Sequence, residues 1–133
     1  KSDNAAFSYE PYGGRKTFST TAAGLLSLQV CGQYETAEVI GSANWLVKSP
    51  PEINEPWFFY GCYYYAQGMY QRGGDHAATA RQRTEQILVG AQSVEGNWYP
   101  RNGNEKSAGA VYATSLALLS LSIHHHFLPI YQK

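Results

Sequence analysis

The stretch from Trp57 to Tyr70 constrains this chain more than any other. It reads Trp57-Phe58-Phe59-Tyr60-Gly61-Cys62-Tyr63-Tyr64-Tyr65-Ala66-Gln67-Gly68-Met69-Tyr70 and contains no charged side chain. A segment apolar or aromatic around nearly its whole circumference is a helix enclosed by other helices. The run therefore predicts an inner helix. After Gly73-Gly74 the pattern inverts: from His76 to Gln92 a small or apolar stripe alternates with Arg81, Arg83 and Glu85. One side of that helix faces water, so it is an outer helix, and the two form a hairpin.

The rest of the chain repeats this plan. Phe18 to Cys31 is uncharged, starts with residues suited to capping and ends at Gly32. Glu35 to Lys48 places Ala37, Ile40, Ala43 or Asn44 and Val47 at helical spacing, with Glu35 and Glu38 in the first turn and Lys48 in the last. Three prolines make Ser49 to Pro56 a rigid connector. A polar loop is expected over Asn97 to Gly109, holding Arg101, Glu105 and Lys106, followed by an uncharged inner helix from Ala110 to Leu121. Three uncharged helices thus alternate with two amphipathic ones. The predicted class is all-α, an arc of about five helices, preceded by an irregular arm over 1–16 whose aromatics Phe7, Tyr9 and Tyr12 lie on the body. Pro129 is expected to stop regular structure near the end.

At 133 residues the chain suits a single domain spanning 1–133. Lys plus Arg and Asp plus Glu are ten each, so no net field draws it to nucleic acid. No apolar run reaches the roughly 18 to 20 residues of a membrane span, and no signal sequence stands at Lys1, as in a mature or excised chain. Cys31 and Cys62 are too few for a disulfide framework and read as buried free thiols. Eleven of the residues are Tyr, more than a small helical core needs, and a tyrosine is costly to bury without a partner for its hydroxyl. Some of these rings are expected to line a cavity or an interface.

The pattern Leu88-x-x-x-Gln92-x-x-x-Gly96-x-Trp98 resembles the core of the Gln-Trp repeat motif of the prenyltransferase and squalene-cyclase group. Arg83 stands where a basic residue usually opens that motif, and Thr84 departs from the usual glycine. Thr20 to Leu28 and Tyr112 to Leu121 also resemble inner-helix starts of the group, so the similarity touches most of residues 17 to 122. The resemblance implies an α/α toroid of inner and outer helices, of which five helices supply less than half a circle. Within the motif, Gln92 is expected to reach orphan backbone groups at a neighbouring helix end, Gly96 to give a tight turn, and Trp98 to cover the joint. An open arc leaves two lateral faces bare, which implies self-association into a homo-oligomer or flanking repeats of a longer chain.

The group's chemistry does not carry over. Its cyclases use an Asp-x-Asp-Asp cluster, whereas this chain has only Asp3 and Asp75, each isolated. Asp75 reads as a helix N-cap. No Asp, Cys and His trio matches the zinc site of the protein prenyltransferases, and His124-His125-His126 are adjacent residues that do not share a helix face. Glu35 with Glu38, and Glu52 with Glu55, read as helix-start charge and loop solvation. No catalytic residue, metal or cofactor is therefore assigned. Tyr60 and Tyr64 stand one turn apart, Tyr63, Gln67 and Tyr70 form a neighbouring stripe, and Tyr112 enters from the next inner helix. With Trp57 nearby, these rings are the candidate surface for an isoprenoid or other apolar ligand, set against an overfilled core as the plainer reading. The expected function is a non-catalytic binding or assembly module. The alternative is a piece of a prenyltransferase or squalene-cyclase-like enzyme whose catalytic residues lie elsewhere.

Overall fold

The computed structural model describes residues 5–125. Among the described residues there are five α-helices: α1 (Phe18–Val30), α2 (Ala37–Lys48), α3 (Phe58–Arg72), α4 (Gly74–Ala91) and α5 (Glu105–Ser122), followed by a 3-10 turn over Ile123–His125. The chain is all-α, as the periodicity predicts. Asp3 and the closing segment with His126 and Pro129 lie outside the described residues.

α3 sits with α1 on one side and α5 on the other, while α2 packs on α1 and α4 on α3. Glycine sets the closeness of the first contact. A Cβ on Gly61 would lie 2.9 Å from the Phe18 ring, and one on Gly68 would lie 3.2 Å from Leu25. Tyr65 is fully buried, its ring 5.2 Å from that of Phe18, in a core shared with Leu25, Val39, Leu46 and Met69. A second core joins Phe58, Phe59, Cys62, Leu88, Trp98, Ala113 and Ala117. Uncharged helices need this enclosure because their burial is what drives their packing.

Helix ends follow local chemistry, with several corrections to the expected boundaries. The Thr17 hydroxyl accepts the Thr20 N–H at 3.2 Å to open α1. Gly32, at φ +81°, closes it while the N–H groups of Gly32 and Gln33 return to Gln29 and Leu28. Cys31 is exposed at that cap, not buried, whereas Cys62 is buried. Glu35 stands before α2 because Thr36 caps it, and the Glu35 carboxylate instead meets Arg72 at 2.8 Å. Gly73 is the cap of α4, so Asp75 falls in the first turn, where its charge meets the helix dipole. α5 begins at Glu105, earlier than expected. Gly109, at φ 80° and ψ −176°, divides it into a short turn and a rod that starts at the predicted Ala110.

The arm is anchored through Phe7. Its N–H donates to the Thr21 hydroxyl at 3.0 Å, its carbonyl accepts from the Thr20 hydroxyl at 2.7 Å, and its ring fills the notch at Gly24. The Ser42 hydroxyl holds the Ala5 carbonyl at 2.6 Å. Tyr9 and Tyr12 do not lie on the body; they are 91% and 93% exposed. The arm thus covers part of α1, where a bare lateral face is expected from the sequence. At the other side, the 21-residue helical stretch Glu105–His125 contains an 18-residue window of mean hydropathy 1.2, long and apolar enough to cross a membrane by length and composition alone, with 22% of that window buried.

Candidate functional site

Pro56 and Trp57 leave α3 without a cap of its own. Trp57 occupies the left-handed region at φ 61° and makes no side-chain capping bond. The open N–H groups are closed from 45 residues away by Glu105, the first residue of α5. Its Oε1 accepts the Tyr60 N–H at 2.9 Å and its Oε2 the Phe59 N–H at 3.2 Å. The Tyr112 hydroxyl donates to Oε1 at 3.0 Å. Glu105 is only 2% exposed, so a full carboxylate is buried. It is tolerable there because charge-assisted bonds and the positive end of α3 replace its water. Sequence reasoning treated Glu105 as loop charge. The signal that could have found it is a strongly predicted helix with no Ser, Thr, Asp or Asn at its start.

Most of the candidate rings gather around this carboxylate. Trp57 lies 6.3 Å from Tyr60 edge-on, Tyr60 lies 4.6 Å from Tyr64, and Tyr63 lies 5.2 Å from Tyr64. Tyr112 enters from α5, its phenol pushed well above the ordinary tyrosine range by burial, then by the Glu105 charge and bond, with Tyr60 and Tyr64 adding to it. Tyr70 is not part of this group; it stands at the far end of α3 with its ring 5.4 Å from His124. Trp57 is exposed and the four tyrosines Tyr60, Tyr63, Tyr64 and Tyr112 are half-buried, so the cluster is neither sealed core nor fully open surface. A cleft of about 410 Å³ lies at the Tyr70 end instead, lined by Tyr34, Glu35, Gln71 and Arg72. Arg72 bonds both Glu35 and the Tyr34 carbonyl there.

Burial pushes the Cys62 thiol well up, with Glu105 and Glu55 adding to the shift, which keeps it protonated and a weak nucleophile. Burial and Glu52 raise the Glu55 carboxyl, and Arg15 opposes them. Among the described residues no three His, Cys, Asp or Glu side chains stand where they could share a metal ion. His124 packs on Tyr70 and His125 is exposed.

Leu88, Gln92, Gly96 and Trp98 form one joint after α4. Trp98 is 2% exposed, and its Nε1–H donates to the Leu88 carbonyl at 2.7 Å, closing one of the open carbonyls of the last turn. Its own N–H donates to the Thr114 hydroxyl at 3.1 Å, tying the joint to α5. Gly96 turns the chain at φ 86°. Gln92 differs from expectation: its Nε2 donates to the Gly96 carbonyl at 2.8 Å, within its own turn and not to a neighbouring helix. The reach to a neighbour belongs to Arg83, whose Nη1 donates to the Val47 carbonyl at the end of α2 at 2.7 Å. No known family, curated protein or solved structure matches this chain.

Proposed function

We propose that this chain is a non-catalytic helical repeat domain, a partial α/α toroid akin to the prenyltransferase and squalene-cyclase group, acting as a binding or assembly module. The observation that carries the binding side is the half-buried cluster of Tyr60, Tyr63, Tyr64 and Tyr112 beside exposed Trp57. Contiguous rings at the surface match flat or branched apolar groups such as isoprenoid chains. The Tyr112 hydroxyl, already donating to Glu105, positions its ring rather than offering a proton. α1, α3 and α5 side by side, with α2 and α4 packed on them, support the repeat architecture.

Titration with a long-chain isoprenoid alcohol, followed by native mass spectrometry and tryptophan emission, tests the binding side. A stoichiometric complex weakened in Tyr60→Ala and Tyr64→Ala supports it. Absence of any complex at saturating lipid removes the ligand from the reading.

A second reading, a portion of an isoprenoid-processing enzyme with its catalytic residues elsewhere, is favoured by the Leu88, Gln92, Gly96 and Trp98 joint. Turnover of a prenyl diphosphate by this chain together with flanking repeats carrying an acidic cluster would favour it over the first.

A further inference from the structure

We propose that Asn102 is a site of spontaneous deamidation, and that its conversion to an aspartyl or isoaspartyl residue releases the proline connector before α3 from the loop that opens α5.

Asn102-Gly103 is the one Asn-Gly pair in the chain. Every other asparagine is followed by a residue with a Cβ, which hinders the next backbone nitrogen from reaching the side-chain carbonyl. The fold brings the reacting groups together. The Gly103 N–H donates to Asn102 Oδ1 at 3.0 Å, so the nitrogen already lies beside the carboxamide it attacks. Gly103 sits at φ +60°, a conformation glycine adopts freely. Both residues are exposed, so water and dissolved base reach them.

The chemistry needs only the chain, base and water. Base takes the Gly103 N–H proton, the nitrogen pair bonds to Asn102 Cγ, and the Cγ–Nδ2 bond breaks as Nδ2 leaves as ammonia. Water then opens the succinimide ring. Cleavage of the N–Cγ bond gives an aspartyl residue; cleavage of the other ring N–C bond gives an isoaspartyl residue, with the main chain running through Cγ.

The other end of the same carboxamide carries the consequence. Nδ2 donates to the Asn54 carbonyl at 2.7 Å, joining residues 48 apart, and a Cβ on Gly103 would lie 3.5 Å from Pro56. A carboxylate has no donor, so after conversion two acceptors face each other and this bond is lost. Glu52 and Glu55, within two residues of Asn54, add like charge against the new carboxylate.

Incubation of the full chain in mildly alkaline buffer, followed by tryptic peptide mapping, tests the reaction. Asn102 should be converted at least about tenfold faster than any other asparagine, to a mixture of aspartyl and isoaspartyl forms. Gly103→Ala should slow the conversion at least about tenfold. If that variant disturbs the loop, Asn102→Gln serves in its place, because its longer side chain cannot close the same ring. Hydrogen exchange tests the release. The Glu55 N–H, bonded to the Glu52 carbonyl at 3.0 Å, should exchange faster in the converted chain and in Asn102→Asp, with α1 and α2 unchanged. Conversion no faster at Asn102 than elsewhere overturns the proposal. An aspartyl product without any isoaspartyl form does so too, since it marks direct hydrolysis, as does unchanged exchange at Glu55 after full conversion.

Discussion

The Glu105 carboxylate accepts the Tyr60 backbone N–H at 2.9 Å, so the first residue of one helix closes the amino end of another. Glu105→Ala leaves the Phe59 and Tyr60 N–H groups and the Tyr112 hydroxyl without their acceptor. A loss of about 3 kcal/mol is expected. Glu105→Gln keeps one oxygen but sets an amide N–H₂ against a backbone donor, so about half of that loss is expected. Urea denaturation followed by circular dichroism measures both, and equal stability of Glu105→Ala and the parent would refute the role.

Trp98 contributes a bond as well as a ring. Trp98→Phe keeps most of the buried surface but leaves the Leu88 carbonyl unbonded, at a cost of about 1 to 2 kcal/mol. Trp98→Ala also opens a cavity and should cost about 3 to 5 kcal/mol. A thermal melt that ranks the two in the other order would contradict this division.

Gly61 and Gly68 differ in what surrounds them. Alanine is favoured over glycine in a helix by up to about 1 kcal/mol. At Gly61 the new methyl would meet both the Phe18 ring at 2.9 Å and the Ser19 Cα at 3.2 Å, and the latter is backbone that cannot step aside. Gly61→Ala should therefore destabilise by about 1 to 3 kcal/mol. At Gly68 the closest atoms belong to the Leu25 side chain, from 3.2 Å, so Gly68→Ala should stay within about 1 kcal/mol of the parent. Chemical denaturation of the pair decides.

Tyr112 gives the fold an alkaline weakness. Its phenol holds its proton more tightly when folded than in the unfolded chain, where the ordinary value is 10.0. Below that value both states are protonated and stability is unaffected. As pH rises through it the unfolded chain loses the proton first, and stability falls. Buried Cys62 acts in the same direction from its lower ordinary value of 9.0. Melting midpoints between pH 9 and pH 11 should thus fall more steeply in the parent than in Tyr112→Phe, and parallel curves would remove Tyr112 as the cause.

The helices were legible because their signals are local. The uncharged run through Tyr65 and Met69, the glycines after α3 and the stripe bearing Arg83 are each read within a turn or two. Long-range closures were not legible. Glu105 looks like any loop carboxylate until α3 is found beside it, and Glu35 looks like helix-start charge until Arg72 meets it across the α1–α2 turn. The aromatic cluster was half legible: helical spacing brought Tyr60, Tyr63 and Tyr64 together, but the same spacing set Tyr70 at the wrong end of α3 to join them. Tyr9 and Tyr12 were misjudged because aromatic character alone does not specify a partner surface.

Gly109 joins two pieces that behave differently. Its backbone, at φ 80° and ψ −176°, is a conformation available almost only to glycine, so the turn bearing Glu105 and the rod from Ala110 onward are set at independent angles. The left-handed glycine thus lets the turn place the carboxylate on α3 while the rod runs in a direction of its own. A residue with a Cβ at this position would be strained in that conformation, and relieving the strain would turn the rod relative to the plug.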